Sequence, residues 1–290
     1  MNPAKRVCVN TGERIFFSMK LIFLDIDGTF TAPLAPAPPE SAVKAVHAAQ
    51  KNGHKVFLCT GRNWSMAQPM FSYGFDGAVC SAGGLVLCNG ETLYDHPMTD
   101  PERDTILTEF DRAGVFYLLE TRECAYMKEG LEHLIVNASP STGSEMLRWR
   151  RKLLEQNGVK TLSSYAGEPV YKVVFMIPDA NMLTPARERL ENRFEFCFQD
   201  FQTEGAFGEL INRDFDKGKG IRIICGKLGV PLADTIGFGD SMNDLAMIET
   251  VGTGVCMENG SPELKKHADR ICPPAECDGI ATAFAELGLI

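Results

Sequence analysis

Leu21-Ile22-Phe23-Leu24-Asp25-Ile26-Asp27-Gly28-Thr29 is an apolar run that stops abruptly at two carboxylates, a glycine and a hydroxyl. Large apolar residues without polar alternation read as a strand buried on both faces, the kind found inside a parallel sheet. In open α/β sheets the ligand crevice lies at the carboxyl ends of the strands, where Asp25 and Asp27 would sit. Two acids this close repel each other in such a place, and a divalent cation is the usual compensator. A hard ion such as Mg²⁺ takes oxygen ligands and keeps positions open for water and phosphate oxygens. An ionised aspartate can also attack phosphorus itself. The plainer alternative is a turn that both acids only shape, with Gly28 supplying the bend.

Outward from this strand the same pattern recurs. Ser41 to Asn52 reads as a helix closed by Gly53, and Lys55-Val56-Phe57-Leu58-Cys59 as a second buried strand that ends in Thr60-Gly61-Arg62. A strand-helix-strand order implies a right-handed parallel crossover, which brings Thr60 to the same sheet edge as Asp25. The Thr60 hydroxyl and nearby amides suit a phosphate, and Arg62 a bidentate partner for a substrate anion. A third such end is Asp234-Thr235-Ile236-Gly237-Phe238 followed by Gly239-Asp240-Ser241-Met242-Asn243-Asp244, with Asn243 and Asp244 in the first turn of a helix to Ile248. Before it, Asp216-Lys217-Gly218-Lys219-Gly220 opens a helix, and a lysine there can neutralise phosphoryl oxygens as a point charge. The plainer alternative is that Lys217 and Lys219 are both solvated at the surface, the commoner case for lysine.

Between these segments the texture changes. After a short strand at Gly77–Cys80, Ser81-Ala82-Gly83-Gly84 reads as a hinge, and Leu85 to Tyr94 carries a hairpin signal around Asn89-Gly90. Thr99-Asp100-Pro101-Glu102 resembles a capping box. Strands at Val115–Leu119, Tyr171–Ile177 and Phe194–Phe198 interleave with helices near Glu145–Gln156 and Pro185–Asn192. Mixed antiparallel strands and helices predict a separate α+β module inserted in the α/β domain. The expected division is a core of residues 19–84 and 203–290, an insert of 85–202, and an N-terminal extension of 1–18 preceding Met19. Arg148-Trp149-Arg150-Arg151-Lys152 reads as an exposed helix face with an anchoring Trp, and Ser261-Pro262 as the cap of a further helix.

Composition narrows the classes. A chain of 290 residues, 44% hydrophobic, can bury a sizeable core. Its net charge of −9, without a long single-sign block, speaks against general nucleic-acid binding. No apolar run approaches a membrane span and no leader pattern opens the chain, so the expected location is cytoplasmic. The ten cysteines are scattered and read as small buried hydrophobes.

Taken together and in order, Asp25-x-Asp27-Gly28-Thr29, Thr60-Gly61-Arg62, Lys217 and Gly239-Asp240-x-x-Asn243-Asp244 resemble the four motifs of the haloacid dehalogenase superfamily of phosphatases, in particular its Cof-type subfamily. The likeness runs from about Met19 to the C-terminus and includes the Gly254 to Gly260 and Cys277-Asp278-Gly279 stretches. It implies a Rossmann-like parallel-sheet core with a large C2-type cap that selects substrates. It also implies that Asp25 is the nucleophile, that Asp27 protonates the leaving oxygen and then activates water, and that Thr60 and Lys217 hold the phosphoryl group. Gly61, Arg62 and Asn243 would line the substrate side. Mg²⁺ would be held by Asp25, Asp240 and Asp27, the last through its carbonyl, with Asp244 and Asn243 in support. Phe30 stands where such sequences usually carry leucine, and the Pro-rich 33–39 segment is unusual for them.

The implied activity is Mg²⁺-dependent hydrolysis of small phosphorylated metabolites, sugar phosphates first among them, through an aspartyl phosphate. A phosphotransferase or sugar-phosphate mutase would use the same intermediate, and a catalytically idle regulatory binder would keep only the fold. No residue of the insert maps to a substrate group; Arg122, Glu123 and Lys128 are its polar candidates, each better read as solvated loop. Oligomeric state is not readable from the chain.

Overall fold

β1 (Leu21–Leu24) is buried along its whole length because it is covered on both sides of the sheet. Ile22 and Leu24 pack with Val46 and Phe284 on one face, while Leu21 and Phe23 pack with Ile221 and Ile224 on the other. Each such side chain stabilises the fold by about 1.5–3 kcal/mol. In the computed structural model, residues 19–33, 35–137, 158–202 and 205–290 are described. The N-terminal extension and the Arg148–Lys152 segment with its expected helix lie outside them.

β1 is flanked in parallel by β2 (Lys55–Cys59) and by β12 (Thr235–Gly239). With β3 (Gly77–Cys80), β4 (Leu85–Cys88), β5 (Glu91–Asp95), β13 (Thr253–Met257) and β14 (Arg270–Cys272), they form an eight-stranded sheet in the order β14-β13-β12-β1-β2-β3-β4-β5. Helices Glu40–Lys51 and Gly279–Glu286 cover one face and Lys217–Leu228 the other. The α/β core anticipated from the buried strand runs is therefore present.

A second sheet of six strands runs in the order β10-β11-β9-β6-β7-β8. Its members are β6 (Phe116–Thr121), β7 (Ala125–Met127), β8 (Val159–Thr161), β9 (Val170–Ile177), β10 (Phe194–Gln202) and β11 (Gly205–Asn212). Helices Asp100–Arg112 and Thr184–Leu190 cover one face, burying Tyr117, Val173 and Phe175. The opposite face buries Leu118, Val174 and Phe207, together with Met66 from the first-sheet side. The capping box at Thr99 and Glu102 opens the first of these helices.

The border between the two sheets differs from the expected one at both ends. The β4–β5 hairpin continues the first sheet, with Ala78 opposite Leu87 and Val79 opposite Val86. Its apolar residues are divided between the two clusters that sandwich that sheet. A hairpin signal shows local antiparallel pairing but not which sheet the pair extends. β11 falls within the 203–290 segment expected in the core, yet it pairs antiparallel with β9 and β10. The chain passes between the sheets at residues 96–99 and 213–216, not at 85 and 203.

Gly83 and Gly84 accordingly lie between β3 and β4 rather than at a junction between sheets. Ser81 (φ 50°) and Ala82 (φ 57°), beside them, hold left-handed backbone without being glycine. Such a conformation costs about 1–2 kcal/mol per residue. The helix expected from Ser261 is reduced to a single turn at Leu264–Lys266, because Asp269 N already donates to Gly254 O, 2.9 Å away, as the chain enters β14.

Among the described residues no helix is long and apolar enough to cross a membrane. Their cysteines are all free: seven are buried, Cys197 is half-buried and Cys277 is exposed.

Candidate active site

Asp25 follows β1 directly and stays tied to the sheet, its amide donating to Phe238 O at 3.0 Å. Its carboxylate is buried at the carboxyl edge, where the loops after β1, β2 and β12 meet. Gly28 (φ +87°) lets the chain turn back there, and a Cβ at that position would lie 2.4 Å from Asp240 Oδ2. Asp240 is thus pressed against the Asp25–Thr29 loop, and Thr29 Oγ1 donates to Asp240 Oδ1 at 3.1 Å.

Lys217 reaches the same point from the start of helix Lys217–Leu228. Asp216 caps that helix by accepting from Lys219 N at 2.6 Å. The buried Lys217 Nζ donates to Asp25 Oδ1 at 2.8 Å, to Asp244 Oδ1, and to Asn243 Oδ1 at 3.4 Å. Lys219 points elsewhere, to Tyr94 OH (3.1 Å) and Asp214 O (2.6 Å), so of the two lysines only Lys217 enters the cluster. Asp244 is fully buried, and its Oδ2 accepts from the amides of Asp240 (3.0 Å) and Ser241 (3.2 Å). Gly239 makes room for it, since a Cβ there would stand 2.6 Å from the Asp244 side chain. Asn243 is exposed and also accepts from Ser241 Oγ at 2.9 Å.

Arg62, expected to meet a substrate anion, pairs in the structure with an acid of the chain itself. Its Nε and Nη2 fork onto Asp27 Oδ2 (2.8 Å) and Oδ1 (2.6 Å), and its Nη1 donates to Met66 O at 3.4 Å. The Thr60-Gly61 turn directs the side chain inward, where Thr60 Oγ1 accepts from Arg62 N at 3.1 Å. Planar guanidinium matches carboxylate in this two-bond geometry, and the loop of Asp27 supplies the acid.

The cluster carries more acid than base. Burial first, then the charges of Asp244 and Asp27, push the Asp25 carboxyl up to about 7 against the pull of Lys217. Burial, Asp244 and Asp25 likewise push Asp240 up to about 8. Burial works against the charge of Lys217, but Asp244 and Asp25 outweigh it and raise its pKa. One ligand oxygen from each of Asp25, Asp240 and Asp244 can be chosen so that all lie within 4.8 Å of one another. Hard oxygen donors with uncompensated charge fit a hard divalent cation.

Between the ordinary value of 3.8 and about 7 to 8, the folded protein holds protons on Asp25 and Asp240 that the unfolded chain has released. The metal-free protein therefore loses stability as pH rises through that window. A cation that binds the ionised carboxylates restores it, by about 2.7 kcal/mol at a concentration of 100 Kd. Thermal melts with Mg²⁺ against EDTA are expected to show a larger gain at about pH 8 than at about pH 6; an equal gain at both would contradict this charge balance.

Lys172, Glu120 and Glu209 form a second charged cluster, fully or nearly buried in the second sheet. Sequence reading missed it. The available signal was a lone charge within each apolar strand, as in Val170-Tyr171-Lys172-Val173-Val174. Of the polar candidates in the insert, Lys128 pairs with Asp111 at 2.7 Å, away from the site. Arg122 and Glu123 sit in the β6–β7 turn, 3.6 Å apart, and Arg122 O accepts from Ser65 N at 3.0 Å.

Residues 22–284 match the family profile of haloacid dehalogenase-like hydrolases, which spans nearly the whole chain. The chain belongs to this family. Among relatives of this haloacid dehalogenase-like hydrolase, the phosphatase YwpJ of Bacillus subtilis is 28% identical over 93% of this chain and 100% of its own. A phosphoglycolate phosphatase of Methanothermobacter thermautotrophicus is 26% identical, covering 91% of this chain and 97% of its own. A solved haloacid dehalogenase-like hydrolase from B. subtilis superposes with a TM-score of 0.75 at 23% identity, over 93% of this chain and 100% of that one, and shares the fold.

Proposed function

We propose that this haloacid dehalogenase-like hydrolase is a Mg²⁺-dependent phosphomonoesterase for small phosphorylated metabolites, acting through a phosphorylated Asp25. One observation carries the reading: a buried carboxylate at the end of the central strand, 2.8 Å from a buried ammonium and beside a second set of acids. A solvated turn or a binding-only protein has no use for so costly a cluster.

In this reading an Asp25 Oδ attacks phosphorus, the bond from phosphorus to the ester oxygen breaks, and that oxygen takes a proton from Asp27. A water oxygen then attacks phosphorus and gives its proton to Asp27, and the bond from phosphorus to Asp25 breaks to release phosphate. Lys217 neutralises both the nucleophile and the incoming phosphoryl oxygens. Thr60 and Asn243 offer polar contacts to the same group. Arg62 fixes the plane of the Asp27 carboxylate. Asp25 and Asp240 would hold Mg²⁺ together with the Asp27 carbonyl, and Asp244, spent on Lys217 and two amides, orients the set. When bound, the ion would stabilise negative charge on the phosphoryl oxygens.

The test is phosphate release from sugar phosphates, phosphoglycolate, pyridoxal phosphate and p-nitrophenyl phosphate. The expected result is turnover in Mg²⁺ that EDTA removes. A folded, Mg²⁺-loaded protein that releases no phosphate from any of them would overturn the reading.

A further inference from the structure

Lys172 lies inside the apolar strand β9 and is fully buried. The sheet register places Glu120 of β6 directly opposite it. On the other side Ile211 of β11 is its partner, and Glu209, two residues away, shares the same face. Glu209 Oε1 accepts from Lys172 Nζ, and Glu120 Oε1 lies 3.4 Å from it. Burying an ammonium with two carboxylates costs several kcal/mol per ion, and apolar side chains of similar volume often serve stability as well or better. The arrangement is thus a poor stabilising device.

Its third contact gives it a task. Lys172 Nζ donates to Gly61 O at 3.1 Å, crossing from the second sheet to the loop after β2. Gly61 sits between Thr60 and Arg62, and Arg62 forks onto Asp27. Two further bonds tie the next residues to the same sheet: Asn63 Nδ2 donates to Thr121 O at 2.8 Å, and Ser65 N to Arg122 O at 3.0 Å. Residues 61–65 are therefore held by the second sheet as much as by the first.

The geometry points to Lys172 as a positioning residue: held by Glu120 and Glu209, it fixes the Gly61 carbonyl and thereby the Arg62 fork that orients Asp27 for proton transfer. Docking of the second sheet and competence of the acid–base residue become one event. This rests on the hydrolase reading above, in which Asp27 protonates the leaving oxygen.

Two variants test it. Lys172→Met removes the ammonium, and Lys172→Met combined with Glu209→Gln keeps the cluster's net charge unchanged should the single variant fail to fold. Turnover of an alkyl phosphate, whose leaving oxygen needs a proton, is expected to fall about 100-fold. Single-turnover release of p-nitrophenol, which reports phosphorylation of Asp25 alone and needs no proton from Asp27, falls less than about tenfold. Lys172→Arg, which keeps a cationic donor, recovers most of the alkyl rate. Backbone amides of residues 60–66 exchange hydrogen faster in the double variant than in the parent. A folded variant with the parent's alkyl-to-aryl ratio and the parent's exchange would overturn the assignment. If the parent itself hydrolyses neither ester, the hydrolase reading has failed, and exchange alone decides whether Lys172 holds the loop.

Discussion

Asp25→Asn removes phosphate release by about 10⁴-fold or more and leaves the metal-free protein within about 1 kcal/mol of its parent stability. The two halves have one cause. Asp25 is a carboxylate whose burial and acidic neighbours push it up to about 7, so its negative charge is a liability to the fold and is retained for its reactivity. The amide keeps the size, relieves repulsion with Asp244 and Asp27, and leaves Lys217 a neutral oxygen in place of the charged one at 2.8 Å, while Lys217 still has Asp244. Steady-state phosphate release and melts in EDTA check both halves, and the gain in melting temperature on adding Mg²⁺ should shrink with the lost ligand. Undiminished turnover would mean another nucleophile.

Lys217→Met acts in the opposite sense on stability. The ammonium is the cation that touches Asp25 and Asp244 together, and it is buried with them. Its removal leaves buried acids without a counter-charge, a loss of about 3–5 kcal/mol. For a chain of this size that is a fall of about 10 °C in melting temperature. The fall should be greatest above about pH 8, where Asp25 and Asp240 are ionised, and smaller near about pH 5, where protons take the place of the ammonium. Turnover should be lost as well, by about 10³-fold, because the phosphoryl oxygens lose their fixed charge. A melting temperature equal to the parent's at both pH values would show that the acids do not depend on Lys217.

Much of the core was legible because buried parallel strands announce themselves. Leu21–Leu24 and Lys55–Cys59 are short apolar runs that stop at polar residues, and the structure brings the ends of β1, β2 and β12 to one edge. Crossover handedness does the rest, since it leaves few ways to arrange such strands. The choice of Lys217 over Lys219 was made on the motif it resembles; in the structure the helix start turns the first inward and the second toward Tyr94.

What was not legible depends on contacts distant in sequence. The Leu85–Asp95 hairpin advertises its own turn, but its membership in the first sheet rests on pairing with Gly77–Cys80. β11 has local character compatible with either sheet, and its place beside β9 and β10 is settled by long-range antiparallel register. Arg62 carries no sign of whether its fork will meet a ligand or Asp27. Lys172 shows only as a charge out of place in an apolar strand, and its meaning requires knowing that Glu120, Glu209 and Gly61 surround it.

The most direct test of the central claim is mass spectrometry of the peptide carrying Asp25, after rapid acid quench of an Asp27→Asn variant turning over p-nitrophenyl phosphate with Mg²⁺. Phosphorylation needs no proton from residue 27 with this leaving group, whereas breakdown needs a base there, so the intermediate should accumulate. The account predicts a phosphoryl group on Asp25. A peptide without it while p-nitrophenol is still released, or a phosphoryl group on any other residue, would contradict it.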